Sequence, residues 1–245
     1  MMMKKNKNII ALFGVQGAGK DTVASILRDI YNNNVIPVNI LGTLPENMLI
    51  TFHYPTRDRY TTMSFAEPIQ KAVASLLDVS LDKVKSHSFK DSSSGIVSYV
   101  VGENPFSNLE DAQEFKKELL KEGYDLKLRE YKITPRDLVI EIAERLKDAF
   151  GDGIWAKIAM KKAKKEGKII FTDLRFKSEL KELEKQNALI VKVVCEDENG
   201  EEMKGYLYEM EDFPKEKIDY VIYNKKGDWS HLRDQILRMI DRLKL

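Results

Sequence analysis

The chain has 245 residues, and its 40 basic and 39 acidic side chains leave a net charge of +1, so no overall field favours nucleic acid or a membrane surface. Apolar residues make up 43%, enough for a buried core, and the length suits one large α/β domain with insertions. The single cysteine, Cys195, excludes an internal disulfide framework and fits a reducing compartment. The N-terminal Met-Met-Met-Lys-Lys start is basic, but the apolar run behind it is too short for a secretory signal. No stretch is long and apolar enough to span a bilayer, so the expectation is a cytoplasmic protein with no membrane or nucleic-acid partner.

In chain order, Ile9-Ile10-Ala11-Leu12-Phe13 predicts a buried strand over 8–13. Gly14-Val15-Gln16-Gly17-Ala18-Gly19-Lys20-Asp21-Thr22 follows and reads as a phosphate-binding P-loop. Val23, Ile26, Leu27 and Ile30 then share one helical face, which predicts a helix over 20–31. In such a loop, glycines let backbone N–H groups curl around a phosphate chain. The helix N-terminus adds its positive dipole end, and Lys20 would reach the β- and γ-phosphates. Asp21 stands where a Ser or Thr hydroxyl usually meets Mg²⁺, with Thr22 one place late; a carboxylate can still hold Mg²⁺ directly or through water.

Val35–Ile40 and Met48–Phe52 are candidate short strands around the turn at Leu44–Asn47. His53, Tyr54, Arg57 and Arg59 form a basic and aromatic cluster, which suits either a second phosphate or a solvated loop. Thr62–Lys71 reads as a strand end followed by a helix, with Pro68 in the first turn and Ile69, Val73, Leu76 and Leu77 on the buried face. Lys71 lies early in that helix, within reach of an anion or simply on the surface. Residues 79–133 are the least patterned part: Ser92–Gly95 and Gly102–Pro105 are loop signals, and 108–122 is charged and helical. A polar insertion of this kind is what a lid over a phosphoryl-transfer site looks like, and equally what a plain surface insertion looks like.

Thr134-Pro135-Arg136-Asp137 has an N-cap, a first-turn proline and a first-turn acid, and Leu138, Ile142 and Leu146 continue the helix. Gly151-Asp152-Gly153 ends it, and a second helix starts near Ile154. Lys168–Thr172 is a buried strand that ends in Asp173-Leu174-Arg175-Phe176. An acid just past the carboxyl end of a parallel strand lies in the crevice where α/β sheets bind ligands. Asp173 is therefore a candidate carboxylate for metal or substrate, and Arg175 a candidate phosphate clamp; helix capping and a surface ion pair are the plain alternatives. A helix over 177–187, a strand over 188–194 with Cys195 at its end, an acidic turn-rich stretch over 196–216 and a strand over 218–224 follow. Ser230 is the expected cap of a final amphipathic helix. Alternating strands and helices predict an α/β three-layer sandwich, a central parallel sheet covered on both faces.

These motifs together resemble the deoxynucleoside monophosphate kinases of tailed bacteriophages, a branch of the P-loop kinases. The segments that carry the resemblance are Gly14–Thr22, Ser64-Phe65-Ala66-Glu67-Pro68, Thr134–Leu138, Gly153-Ile154-Trp155, Asp173–Phe176 with Glu179, and Asp219–Asn224. It covers most of the chain, best over 8–30 and 134–195, and does not extend to 32–60 or 92–130. The Asp21 departure is expected within that family. The resemblance implies a single P-loop kinase domain over 1–245, with 79–133 as a lid or acceptor-binding insertion. It implies transfer of the ATP γ-phosphoryl group to a deoxynucleoside monophosphate, with ATP and Mg²⁺ as cofactors. Lys20 and the 14–22 backbone would hold the ATP phosphates. Arg136 and Arg175 would hold the acceptor or the transferring group. Asp173, with Asp21, would position Mg²⁺ or its water. Lys71 would assist at the acceptor, and Asn224 would lie near the ATP base. The family also suggests a homodimer in the host cytoplasm.

Two rival readings stay open. One is another small-molecule kinase resembling a dephospho-coenzyme A kinase. The other is a nucleotide-dependent regulatory protein without turnover. A GTPase-type Asn-Lys-x-Asp is not matched, since in Asn224-Lys225-Lys226-Gly227-Asp228 the acid comes one residue late.

Overall fold

A computed structural model describes residues 5–32, 35–36, 50–51, 59–197, 200–203, 205 and 213–245. It divides into two compact units, one formed by Met1–Glu67 with Asp152–Leu245 and the other by Pro68–Gly151.

The first unit is built on β1 (Asn6–Phe13), α1 (Lys20–Asn32), a two-residue pair β2 (Val35–Ile36) and β3 (Ile50–Thr51), and β4 (Tyr60–Met63). The second unit takes most of α2 (Glu67–Leu76), then α3 (Leu81–Lys85), α4 (His87–Lys90), β5 (Ile96–Val101), β6 (Asn104–Phe106), α5 (Leu109–Lys121), β7 (Leu128–Ile133) and α6 (Pro135–Phe150). The chain returns to the first unit with α7 (Ile154–Glu166), β8 (Lys168–Phe171), α8 (Lys177–Lys185), β9 (Ala188–Glu196), β10 (Tyr220–Lys225) and α9 (Trp229–Leu243).

Five strands of the first unit form one sheet in the order β10-β9-β1-β8-β4, with every pairing parallel. A parallel sheet must be covered on both faces, and β1 shows how the sequence arranges this. Its side chains alternate: Ile9, Ala11 and Phe13 enter one core, Ile10 and Leu12 the other. The first core takes Ala156, Ala159 and Met160 of α7 and Leu180 and Leu183 of α8. The second takes Val23 and Leu27 of α1 and Leu232, Ile236 and Met239 of α9. Phe65 stacks on Phe171 with ring centroids 4.2 Å apart in the first core. Each buried Val, Leu, Ile, Phe or Met among them contributes about 1.5–3 kcal/mol by leaving water. The molecule is therefore α/β, a central all-parallel sheet between two helical layers, as the alternating pattern predicts. Cys195 is buried on β9 as a strand residue.

β1 lies between β8 and β9. The segment after β1 leads through α1 to β4 on one side, while the segment after β9 leads to β10 on the other. Such a switch of direction opens a crevice at the carboxyl ends of the strands. The Gly14–Gly19 loop starts at that end of β1.

The second unit gives 79–133 regular elements that the sequence pattern does not mark. It contains a three-stranded antiparallel sheet in the order β6-β5-β7, with Ile96 opposite Ile133 and Val101 opposite Leu128. The charged stretch over 108–122 is helical as expected, capped by the Asn108 side chain on the Asp111 N–H. A small core of Val73, Ala74 and Val84 packs with Leu138, Val139 and Ile142 of α6. Thr134 and Asp137 form a reciprocal capping box at the start of α6. At α9 the cap is Asp228, whose carboxylate accepts from the His231 N–H, in place of the expected Ser230. The strand expected over 35–40 is described only at Val35–Ile36, and the one over 48–52 only at Ile50–Thr51. His53, Tyr54 and Arg57 lie outside the described residues, and Arg59 is exposed just before β4.

Candidate functional site

The loop between β1 and α1 is held against two neighbouring strands. Gly14 has φ +153°, and a Cβ there would meet the Val193 carbonyl oxygen of β9 at 2.1 Å. Gly19 has φ +92°, and a Cβ there would stand 2.4 Å from the Asn224 side-chain nitrogen of β10. That nitrogen donates to the Ala18 carbonyl at 2.9 Å. Both positions thus require glycine for close approach as well as for backbone conformation. Within the loop, the Ala18 N–H donates to the Val15 carbonyl, and the Gly19 carbonyl accepts the first helical bond, from the Val23 N–H.

Lys20 is the first residue of α1, and its ammonium donates to the Gly14 and Val15 carbonyls at 2.9 Å each. Burial lowers its pKa below the usual lysine value, and the Arg175 guanidinium lowers it further; Asp21 and Asp173 partly offset this. Arg175 is exposed and Asp173 buried, and the Arg175 charge acts on the Asp173 carboxyl. Lys20, Asp21, Asp173 and Arg175 are thus brought into one electrostatic neighbourhood at the carboxyl ends of β1 and β8. Two cations beside a helix N-terminus form an arrangement that favours an anion.

Asp173 follows β8 and accepts from the Phe65 N–H at 2.8 Å and the Ala66 N–H at 3.4 Å. Burial pushes its carboxyl up, while those N–H groups and Arg175 pull it down. Glu179, on the first turn of α8, accepts from the Arg175 N–H at 2.8 Å and the Phe176 N–H at 3.1 Å. Burial, helped by the Asp173 charge, pushes Glu179 up to about 8. The sequence reading gave Glu179 no role. The visible signal was its place three residues after the helix cap, where a glutamate reaches back to free N–H groups. Glu67, also buried, is paired with Lys162 of α7 at 2.6 Å.

Other sequence candidates are placed as follows. Gln16 and Gly17 are exposed at the loop tip, Val15 and Ala18 are buried under it, and Thr22 is half-buried on α1. Asn224 is half-buried and engaged with the loop. Lys71 and Arg136 belong to the second unit. Lys71 is on the exposed side of α2. Arg136, in the first turn of α6, makes a two-pronged pair with Asp91 at 2.5 and 3.1 Å. Among the described residues, no group of three or more His, Cys, Asp or Glu side chains gathers as a metal site. Among them too, no helix is long and apolar enough to cross a membrane.

In comparisons with known proteins, no family model matches the chain and no curated protein matches it. The functional reading therefore rests on the residues themselves.

Proposed function

We propose that this chain is a P-loop kinase that transfers the γ-phosphoryl group of ATP to a deoxynucleoside monophosphate. The observation that carries the proposal is the setting of Lys20. Its partly desolvated ammonium lies at the head of α1, over a glycine-bounded loop at the carboxyl end of the central strand, with Arg175 beside it. The residues fit an ATP triphosphate on physical grounds: two glycines make room for a close-set backbone, a helix N-terminus faces the loop, and cations converge.

Lys20 and the Gly14–Thr22 backbone bind the phosphate chain. Arg175 holds the transferring or acceptor phosphate, and Arg136 and Lys71 serve the acceptor. Mg²⁺, when bound with ATP, supplies charge neutralisation on the phosphate oxygens. It takes few protein ligands, commonly one or two carboxylates with phosphate and water, so the exposed Asp21 suffices in the first turn of α1 without a larger cluster. Asp173 supports the site from inside by tying the turn after β8, which carries Arg175, to the turn after β4 through the Phe65 N–H. Phosphoryl transfer gains most of its rate from such positioning and charge complementarity, so no nucleophilic side chain is needed. The acceptor class is supported by the motif resemblance at 64–68, 134–138 and 173–179.

The test is ADP release from ATP and Mg²⁺ with common deoxynucleoside and ribonucleoside monophosphates and with dephospho-coenzyme A. Turnover that depends on a deoxynucleoside monophosphate supports the proposal. Turnover only with dephospho-coenzyme A moves the acceptor. ATP binding without turnover on any acceptor replaces the kinase with a nucleotide-dependent regulatory protein.

A further inference from the structure

The loop over 14–22 is soft by composition. Ala18 has glycine on both sides, and Gly17 and Gly19 have φ of +81° and +92°. Glycine accepts either sign of φ, so Gly17 and Gly19 add little preference of their own for the direction of the Ala18–Gly19 peptide. A contact from β10 supplies one. The Asn224 carboxamide donates to the Ala18 carbonyl at 2.9 Å and occupies the space a Gly19 Cβ would take. The peptide is planar and trans, so its N–H points opposite to its C=O. With the carbonyl drawn toward Asn224, the Gly19 N–H is turned away from β10.

We propose that Asn224 is a positioning residue that fixes the direction of the Gly19 N–H donor and acts on the phosphates through the loop, without touching the nucleotide base. This inference rests on the proposed nucleotide-binding function. It departs from the sequence expectation that Asn224 lies at the ATP base. One of the two amide hydrogens is committed to Ala18, which directs the carboxamide at the loop. It also explains why Asn rather than Asp suits the position: a carboxylate would face the Ala18 oxygen with no proton to donate. Register supports the assignment. Asn224 pairs with Cys195 near the end of β9, two residues beyond Val193, whose carbonyl crowds Gly14. The two ends of the loop thus dock on adjacent strands.

The experiment measures equilibrium binding of ATP, GTP and inorganic triphosphate, each with Mg²⁺, to the wild-type chain and to Asn224→Ala. Amide spectra of both proteins without ligand accompany it. A donor that sets a shared phosphate contact predicts a loss of roughly three- to tenfold, the same for all three ligands. Because a partly unfolded variant would also lose all three equally, the spectra carry the distinction. The Gly19 and Lys20 signals must move while those of Ile10 and Val191, in the sheet, stay in place. Should the Ala variant fail to fold, Asn224→Ser, which keeps a shorter donor, is read by the same ratio and the same signals. A loss confined to ATP makes Asn224 a base contact and overturns the inference. Unchanged affinity for all three also overturns it. Failure of the wild-type chain to bind any of the three overturns the proposed function and this inference together, whereas a variant that matches a binding-competent wild type overturns the inference alone.

Discussion

The Asp173 carboxylate accepts the Phe65 N–H at 2.8 Å across 108 positions of sequence. It joins the turn that leaves β8 to the turn that leaves β4, two neighbouring strands. Asp173 is therefore both a buried structural acceptor and part of the electrostatic neighbourhood of Lys20 and Arg175. The two roles separate by substitution. Asp173→Ala leaves the Phe65 N–H unpaired in a buried place and costs about 1–3 kcal/mol of stability. Asp173→Asn keeps an acceptor oxygen for the Phe65 N–H and loses only the longer bond from the Ala66 N–H, so it costs less stability than Asp173→Ala. Urea unfolding checks both. If the charge also orients Arg175 for transfer, the Asn variant loses kcat although it keeps more of its stability.

Glu179 makes stability depend on pH. Its carboxyl is raised from 4.5 to about 8 in the folded chain. Between those values the native state holds a proton that the unfolded chain has released. Unfolding then releases a proton, so stability falls as pH rises through that window. Asp173, also raised, acts in the same direction. The urea midpoint is predicted to be higher near about pH 5 than near about pH 9, and Glu179→Gln to flatten much of that difference. Equal slopes for wild type and variant would sink the assignment.

Much of this site is visible in the sequence because its signals are local. The apolar run Ile9–Phe13, the glycines and the Val23–Ile30 periodicity occupy one continuous stretch, and β1 and α1 form there. The Thr134–Asp137 capping box likewise sits within four residues. Two classes of feature were not legible. β5 is half-buried and β7 mostly exposed, and Leu128-Arg129-Glu130-Tyr131-Lys132-Ile133 carries too many charges to stand out as a strand; pairing with β5 forms it. The partners of Asn224 and Asp173 lie 206 and 108 positions away, so only the folded sheet brings them together. The cap of α9 failed for a smaller reason: Asp228 and Ser230 are both good caps, and the side chain that reaches the free N–H decides.

Arg136 and Asp91 form an exposed pair. Such pairs contribute about 0–1 kcal/mol, so Arg136→Ala should leave stability nearly unchanged. A role at the acceptor phosphate predicts a rise in acceptor KM of about 10- to 100-fold with ATP binding preserved. Arg175→Ala should lower kcat by a similar factor. Unaltered acceptor KM and kcat in both variants would remove the two arginines from the site.

Lys20→Ala removes a charge that burial and Arg175 make costly to hold, so the fold should survive intact. Transfer should fall on the order of 100- to 1,000-fold, the usual effect of losing a group that stabilises developing charge. Circular dichroism and steady-state kinetics on the same preparation check both halves.

The most direct measurement follows the phosphoryl group itself. Wild-type chain and Lys20→Ala are incubated with γ-labelled ATP, Mg²⁺ and each deoxynucleoside monophosphate, and the products are separated. The account predicts label in the deoxynucleoside diphosphate with wild type and almost none with Lys20→Ala. Label that stays in ATP, or appears only as inorganic phosphate, for every acceptor would contradict it.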